Sequence, residues 1–320
     1  MPDAKSVLSA SLRQLAREGR LRRFVEAPTM SHEIVSRYVA GESVSSAIDV
    51  AAEILLKRRL VCLTSLQPLP QDEDRATRNG KRYRKVLRRL GEAGLTADGG
   101  CEVSFGLDAL GLRLGGAEGP PDDEAARFAL AQARRICQAA ANVGALVTVE
   151  TARAADVDAT LEAVADLRQD FPGVGVSLQS ALRRTESDVR EQLGHRVRLW
   201  KGATGGEADR FRHATESDRA FARSLRLLIE HPGTPVVATQ DTRLLEIAQT
   251  LARYVGRPAD QLEYQLRYGV RPETQAVIGD RGDRCRVYVP FGEDWYPYLI
   301  SRVADDPTNV GDLLKAAFAR

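Results

Sequence analysis

Cysteine is scarce and scattered in this chain: Cys62, Cys101, Cys137 and Cys285 lie far apart with no CxxC pair. That excludes a disulfide framework and a cysteine-based zinc site, so no metal is expected and the thiols read as reduced core residues. No apolar run approaches the ~18 to 20 residues that a membrane span requires. The N-terminus also lacks an apolar core of signal-peptide length. Neither sign of charge dominates: 46 basic and 44 acidic residues are interspersed, for a net charge of +2. Nucleic-acid and polybasic membrane surfaces need a concentrated positive field, and both are disfavoured here. These exclusions leave a cytoplasmic protein, at most peripheral to a membrane.

What is present is an ordinary globular balance, with 43% hydrophobic and 28% charged residues over 320 positions. That length suits a single large domain of the barrel type. Residues 3 to 60 read as helices: Leu8, Leu12, Leu15, Leu21 and Phe24 recur at helical spacing, and Ser43 to Leu60 is an amphipathic run. Eight short apolar stretches follow, at 60–66, 102–107, 145–150, 174–178, 197–201, 235–239, 263–268 and 284–290. Helical patterns separate most of them, among them 124–141, 155–171, 217–229 and 244–255. Strands alternating with helices predict an α/β fold, a (β/α)8 TIM-type barrel over 59–320, preceded by an N-terminal helical arm over 1–58. The charged stretch 72–89 and the Gly/Pro-rich stretch 115–123 read as loop or exposed-helix excursions.

In a parallel barrel the chemistry collects at the C-terminal ends of the strands. The polar residues closing each run are Glu150, Gln179, Arg198 with Lys201, Thr239 with Gln240, Arg267 with Tyr268, and Tyr288. Packing does not ask for such a set, although any one of them reads equally well as a solvated loop residue. No GxGxxG element is present, which disfavours a Rossmann domain, and Gly115-Gly116 reads as loop.

Several stretches carry a resemblance. Tyr264-Gln-Leu-Arg-Tyr-Gly-Val-Arg-Pro-Glu273 and Val287-Tyr-Val-Pro-Phe-Gly-Glu-Asp-Trp-Tyr-Pro-Tyr298 are the most specific. With them stand Val197-Arg-Leu-Trp-Lys-Gly-Ala203, Val174-Gly-Val-Ser-Leu-Gln179, Arg37-Tyr-Val-Ala-Gly-Glu42 and Ala238-Thr-Gln-Asp241. In order and spacing, from about residue 37 to 310, the chain resembles the proline dehydrogenase family. The resemblance implies a barrel flavoenzyme that binds FAD non-covalently and passes a hydride from a small amine to flavin N5. It places Arg198 near the N5 edge, and it implies Gln179, Trp200, Lys201, Gly202, Ala203, Thr239, Gln240 and Asn309 as further cofactor contacts. Glu150 and Tyr288 join Arg198 as candidate catalytic residues. The charge of Arg198 would stabilise reduced flavin, and Arg198→Ala is expected to spare the fold. The electron acceptor stays open among quinone, oxygen and a redox partner.

The substrate positions depart from the family wording. Gly106 stands where the family closes its second strand with Lys, and Ser301-Arg302 replaces a paired Arg-Arg that binds the proline carboxylate. Arg267 replaces a pocket Leu, Glu150 an Asp and Gln240 a His, and Thr64-Ser-Leu-Gln-Pro68 stands in place of the usual LGE ending. Arg302, Arg267, Tyr298, Ser301, Asp305 and Gly106 are the candidate substrate positions. One Arg and a Ser cannot copy a bidentate Arg pair, so the expected substrate is a small carboxylate-bearing amine other than proline, oxidised at a C–N or N–N bond. Arg267 would pair either with that carboxylate or with Glu150. The alternatives are ordinary proline oxidation to pyrroline-5-carboxylate and a catalytically silent flavin- or ligand-binding barrel.

Overall fold

Strand sequences here alternate between two kinds of side chain, and the alternation decides the architecture. In Cys101-Glu-Val-Ser-Phe105 or Arg196-Val-Arg-Leu199, every second residue is apolar and the others are polar or charged. A strand sends successive side chains to opposite faces. Such strands can bury both faces only if helices cover one and the sheet closes on itself around the other. The computed structural model, which describes residues 31–116, 119–151, 153–203 and 208–299, shows that solution.

Eight parallel strands form a closed barrel in sequence order. They are β1 Leu60–Ser65, β2 Cys101–Gly106, β3 Leu146–Glu150, β4 Gly175–Gln179, β5 Arg196–Trp200, β6 Thr234–Ala238, β7 Glu263–Arg267 and β8 Arg284–Phe291. Each lies within one residue of the bounds read from sequence. β8 closes against β1, with Leu60 opposite Arg286 and Ser65 opposite Phe291. Among the described residues two helices precede the barrel, α1 Ser31–Tyr38 and α2 Val44–Leu56; then come α3 Glu73–Glu92, α4 Asp123–Ala141, α5 Val157–Asp170, α6 Thr185–Glu191, α7 Ala214–Glu230, α8 Thr242–Tyr254 and α9 Pro272–Asp280. α2 begins where the Ser43 side chain accepts from the Ser46 N–H, and it packs against β1, β8 and α3. The leucines read as helical between residues 8 and 24 lie outside the described residues. Among the described residues no helix is long and apolar enough to cross a membrane.

The stretch at 72–89 corrects its reading as an excursion. Asp72 caps α3 by accepting from the Arg75 N–H at 2.6 Å. Ala76, Gly80, Tyr83, Val86, Leu87 and Leu90 then bury one stripe of a strongly charged helix. α3 is the crossover between β1 and β2, and the Tyr83 hydroxyl accepts from the Ser65 N–H at 3.0 Å just where β1 ends.

The outer face of the sheet is the apolar core: Val61, Leu63, Val103, Val149, Val197, Leu199, Leu266 and Val289 are fully buried under the helices. The inner face is not the branched apolar filling usual for such barrels. Its buried side chains include Glu102, Ser104, Thr148, Ser177, Arg198, Glu263, Gln265 and Arg286.

Candidate active site

At the base of the barrel, Glu102 and Glu263 are both fully buried among arginines. Arg196 lies 3.1 Å from Glu102 and 2.7 Å from Glu263, and Arg286 lies 3.2 Å from Glu102 and 2.8 Å from Glu263. Burial works against ionising either acid, but the flanking arginines outweigh it and hold both carboxyls below their ordinary range. The Thr148 hydroxyl also donates to Glu102.

One layer up, Arg198 joins this base to the barrel mouth. It is 3% exposed. Its Nη1 donates to Ser104 Oγ at 2.8 Å and to Glu150 Oε1 at 2.9 Å. Its Nη2 donates to Glu102 Oε1 at 3.1 Å and lies 3.3 Å from Cys62 Sγ. Burial pushes the Cys62 thiol well above its usual pKa, with Glu102 adding to the effect, so this sulfur is a neutral acceptor. The Arg198 guanidinium also sits over the Tyr288 ring, 5.6 Å from its centroid. Tyr288 in turn donates to Glu150 Oε1 at 3.2 Å. Burial, then the charge of Glu150, keeps Tyr288 a phenol. The three candidate catalytic residues therefore form one contact cluster, and Arg198 retains one buried donor, Nε, without a partner.

A second group frames the mouth at the ends of β4, β5 and β6. Gln179, 2% exposed, donates from Nε2 to the Thr151 carbonyl at 2.5 Å, and its Oε1 accepts from Arg210 at 3.3 Å. Arg210 also donates to the Ala203 carbonyl at 2.9 Å. It braces the end of β4 against the turn after β5, a role with no signature in the sequence. Within that turn Gly202 has φ +72°, and a β-carbon there would lie 2.9 Å from Gln179 Oε1. Lys201 reaches Asp218 at 2.5 Å, and the half-buried Trp200 offers its carbonyl to the Ser180 N–H. Thr239 Oγ1 accepts from the Asp241 N–H at 3.1 Å, and Gln240 Oε1 is buried with no partner.

The remaining substrate candidates divide. Arg267 ends β7 half-buried, opposite Tyr288 in register. Glu150 is held by Arg198, Ser104 and Tyr288. Tyr298 is half-buried near Tyr288, whose phenol it helps keep protonated. Gly106 pairs in register with Glu150. A β-carbon on Gly106 would lie 2.3 Å from Asp108 Oδ1, because that carboxylate folds back onto the Ala109 N–H at 2.9 Å. Ser301, Arg302, Asp305 and Asn309 lie outside the described residues.

The frame fits a flavin on three of its own features. They are a glycine turn that a side chain would fill, an orphaned buried acceptor on Gln240, and an orphaned buried donor on Arg198. Gly202→Val is therefore expected to yield folded protein with little or no bound flavin, checked by the visible absorbance of the purified variant against its melting curve. Flavin retained at the parent's level would remove the turn from the cofactor site.

Comparison with known proteins matches residues 60–312 to the family model described as proline dehydrogenase. Proline dehydrogenase 1 of Bacillus subtilis (strain 168) is 29% identical over 284 residues, covering 87% of this chain and 89% of the relative. The proline dehydrogenase of Deinococcus radiodurans is 28% identical over 281 residues, covering 86% and 87%. Among solved structures, proline utilization A (PutA) from Bdellovibrio bacteriovorus, inactivated by N-propargylglycine, superposes with a TM-score of 0.78 at 20% identity. The match takes in 90% of this chain and 35% of that one, so the present chain corresponds to about a third of the PutA polypeptide.

Proposed function

This chain belongs to the proline dehydrogenase family, flavin-dependent dehydrogenases of imino acids, and from that premise we propose that it binds FAD and oxidises a small carboxylate-bearing amine other than proline. The observation that carries the proposal is the join at the barrel mouth. An Arg198–Glu150–Tyr288 cluster, with Arg198 buried, sits beside a β2 end where Gly106 and the Asp108 carboxylate share the space of one side chain.

When bound, the flavin supplies the hydride acceptor for a C–N or N–N bond. The protein's part is positional and electrostatic. Arg198 holds a positive charge in a water-poor site where negative charge develops on the acceptor. Glu150 is kept in place by three donors and presents a carboxylate toward the amine end of the ligand. Tyr288 closes one side. By the resemblance, Arg302, Ser301 and Asp305 are assigned with Arg267 and Tyr298 to the substrate, the two arginines to its carboxylate end. Arg267 is assigned to the ligand rather than to Glu150, because that acid already has its cation in Arg198.

The departure from proline is supported by the β2 end. By resemblance the family places a Lys at position 106, and here that volume is taken by an acid whose carboxyl is pushed upward in pKa by burial and then by Glu150. An anionic neighbour in place of a cationic one disfavours a compact amino acid whose carboxylate lies near this corner. Proline oxidation is the second reading, favoured by the names of the relatives. Catalytic efficiency with proline is expected to be at least ~100-fold below that of an intact anchor, equivalent to about 2.7 kcal/mol.

The deciding experiment is an anaerobic bleaching screen on the purified yellow protein, with proline, other cyclic and linear secondary amines, hydrazines and amino acids. Bleaching by one of these and not by proline is the expected result. A colourless protein that fails to take up added FAD overturns the cofactor assignment, and rapid bleaching by proline overturns the substrate assignment.

A further inference from the structure

The barrel interior holds two fully buried carboxylates, Glu102 and Glu263, and the half-buried Glu150 against the guanidiniums of Arg196, Arg198 and Arg286. The cluster is not symmetric about the mouth. Glu263 touches Arg196 and Arg286, with Arg284 at 3.9 Å. Of the two acids at the base, Glu102 is the one that reaches Arg198 as well, through Oε1 at 3.1 Å, while its Oε2 holds Arg196 at 3.1 Å and Arg286 at 3.2 Å. Arg198 is thereby clamped from two sides, by Glu150 and Ser104 above and by Glu102 and Cys62 below.

We propose that Glu102 is a positioning residue for the flavin: it fixes the Arg198 guanidinium from beneath the active site and partly neutralises it, and so sets how strongly the mouth favours negative charge on the ring. This rests on the assignment of Arg198 to the flavin's reactive edge. Three observations point to Glu102 rather than to general packing. Glu102 is fully buried, so its charge is poorly screened. Its contact with Arg198 runs from β2 to β5 across the barrel interior, a link that no backbone pairing requires. Finally, the Thr148 hydroxyl donates to the same oxygen that accepts from Arg198, so the two compete for its charge.

Sign follows from charge. Glu102→Gln keeps a carbonyl oxygen facing Arg198 but removes one negative charge from the cluster. Negative charge on the ring is then favoured. Thr148→Val acts the other way, since removing the donor leaves more of the Glu102 charge acting on Arg198.

The test is sulfite titration of the flavin, followed by bleaching near 450 nm, together with the midpoint potential. Sulfite forms a bond to flavin N5 with its lone pair and places one negative charge on the ring, with no other reactant needed. Glu102→Gln is expected to bind sulfite about tenfold more tightly and to raise the two-electron potential by about 30 mV. Glu263→Gln makes the same charge change without touching Arg198 and is expected to do much less. Thr148→Val, which removes one hydroxyl and no ion, should weaken sulfite binding. Equal effects from the Glu102 and Glu263 substitutions would overturn the positioning role and leave only bulk charge. Tighter sulfite binding in Thr148→Val would also overturn it, and that variant decides even if Glu102→Gln fails to fold. A parent protein that binds FAD yet forms no sulfite adduct removes Arg198 from the reactive edge and takes this proposal with it, whereas a normal parent with unresponsive variants defeats this proposal alone.

Discussion

Arg286→Ala is expected to cost on the order of 3 to 5 kcal/mol of folding stability, the usual consequence of removing one partner from a buried ion pair. Arg286 is fully buried, binds Glu263 through two nitrogens at 2.8 and 3.0 Å and lies 3.2 Å from Glu102. It also donates to the backbone carbonyls of Val61, Gly100 and Gly99, tying β8 to β1 and to the turn entering β2. The substitution leaves two acids short of a cation and takes a charged donor from three carbonyls, at the seam where the barrel closes. Set against a typical total of about 5 to 15 kcal/mol, that loss is large. The pH dependence identifies the cause. Glu102 and Glu263 have folded-state pKa values below their unfolded ones. Their contribution is therefore fully present above the unfolded value of about 4.3 and is lost as pH falls through the folded values. The parent should lose stability on acidification below about pH 5. The variant, whose stranded acids gain from protonation, should lose less, so the gap between the two narrows. Urea denaturation at pH 7 and near pH 4 measures this. A gap that does not change with pH would assign the cost to lost packing.

How much of this was legible in the sequence can be said residue by residue. All eight strands were found, because short apolar runs between helical patterns are a strong signal when they repeat. Glu150, Gln179, Arg198 and Tyr288 stood out because a polar residue ending such a run at a barrel mouth has little packing reason to be there. The ionic base was missed, although its trace was visible. Arg196-Val-Arg-Leu, Glu263-Tyr-Gln-Leu-Arg and Arg284-Cys-Arg-Val-Tyr alternate charge with apolar residues at period two, and an inward-facing set of ions follows once the sheet is closed. Which acid meets which base depends on register and closure, such as Arg286 opposite Leu60, and no local pattern contains that. Helix α3 was misread because its mean hydropathy is dominated by exposed arginines and lysines, while a narrow stripe through Ala76, Tyr83, Val86 and Leu90 does the packing. Arg210 is invisible for a related reason, since it acts on Gln179 at the end of another strand, and the Asp108 carboxylate folding back onto the Ala109 N–H follows from local backbone geometry that no motif marks.

Arg198→Lys should slow flavin reduction by a saturating amine substrate on the order of 10²- to 10³-fold while leaving the protein yellow. The expectation from sequence that Arg198→Ala spares the fold does not survive the structure. Arg198 is the cation shared by Glu102 and Glu150, and alanine would take from Glu150 the cation that holds it and leave Glu102 only the two guanidiniums it shares with Glu263. Lysine is the informative replacement, because it keeps the charge and removes the fork. Two guanidinium nitrogens here serve two directions, Nη1 toward Ser104 and Glu150 and Nη2 toward Glu102 and Cys62. A single ammonium can satisfy one side only. If it drops toward Glu102, the mouth loses the positive charge, and Glu150 keeps only its hydroxyl donors, Ser104 and Tyr288. If it rises toward Glu150, Glu102 still has Arg196 and Arg286, and stability is largely preserved. Both placements move the charge away from the position the arginine holds, so the barrier rises whichever is adopted. The effect should fall on the rate of reduction, with smaller change in the substrate concentration for half-saturation, as for an interaction made chiefly in the transition state. Stopped-flow reduction across a substrate series, with FAD content and melting temperature measured on the same preparation, separates these outcomes. A reduction rate within roughly threefold of the parent's would show that charge alone suffices and that the arginine's fork serves the ionic base rather than the reaction.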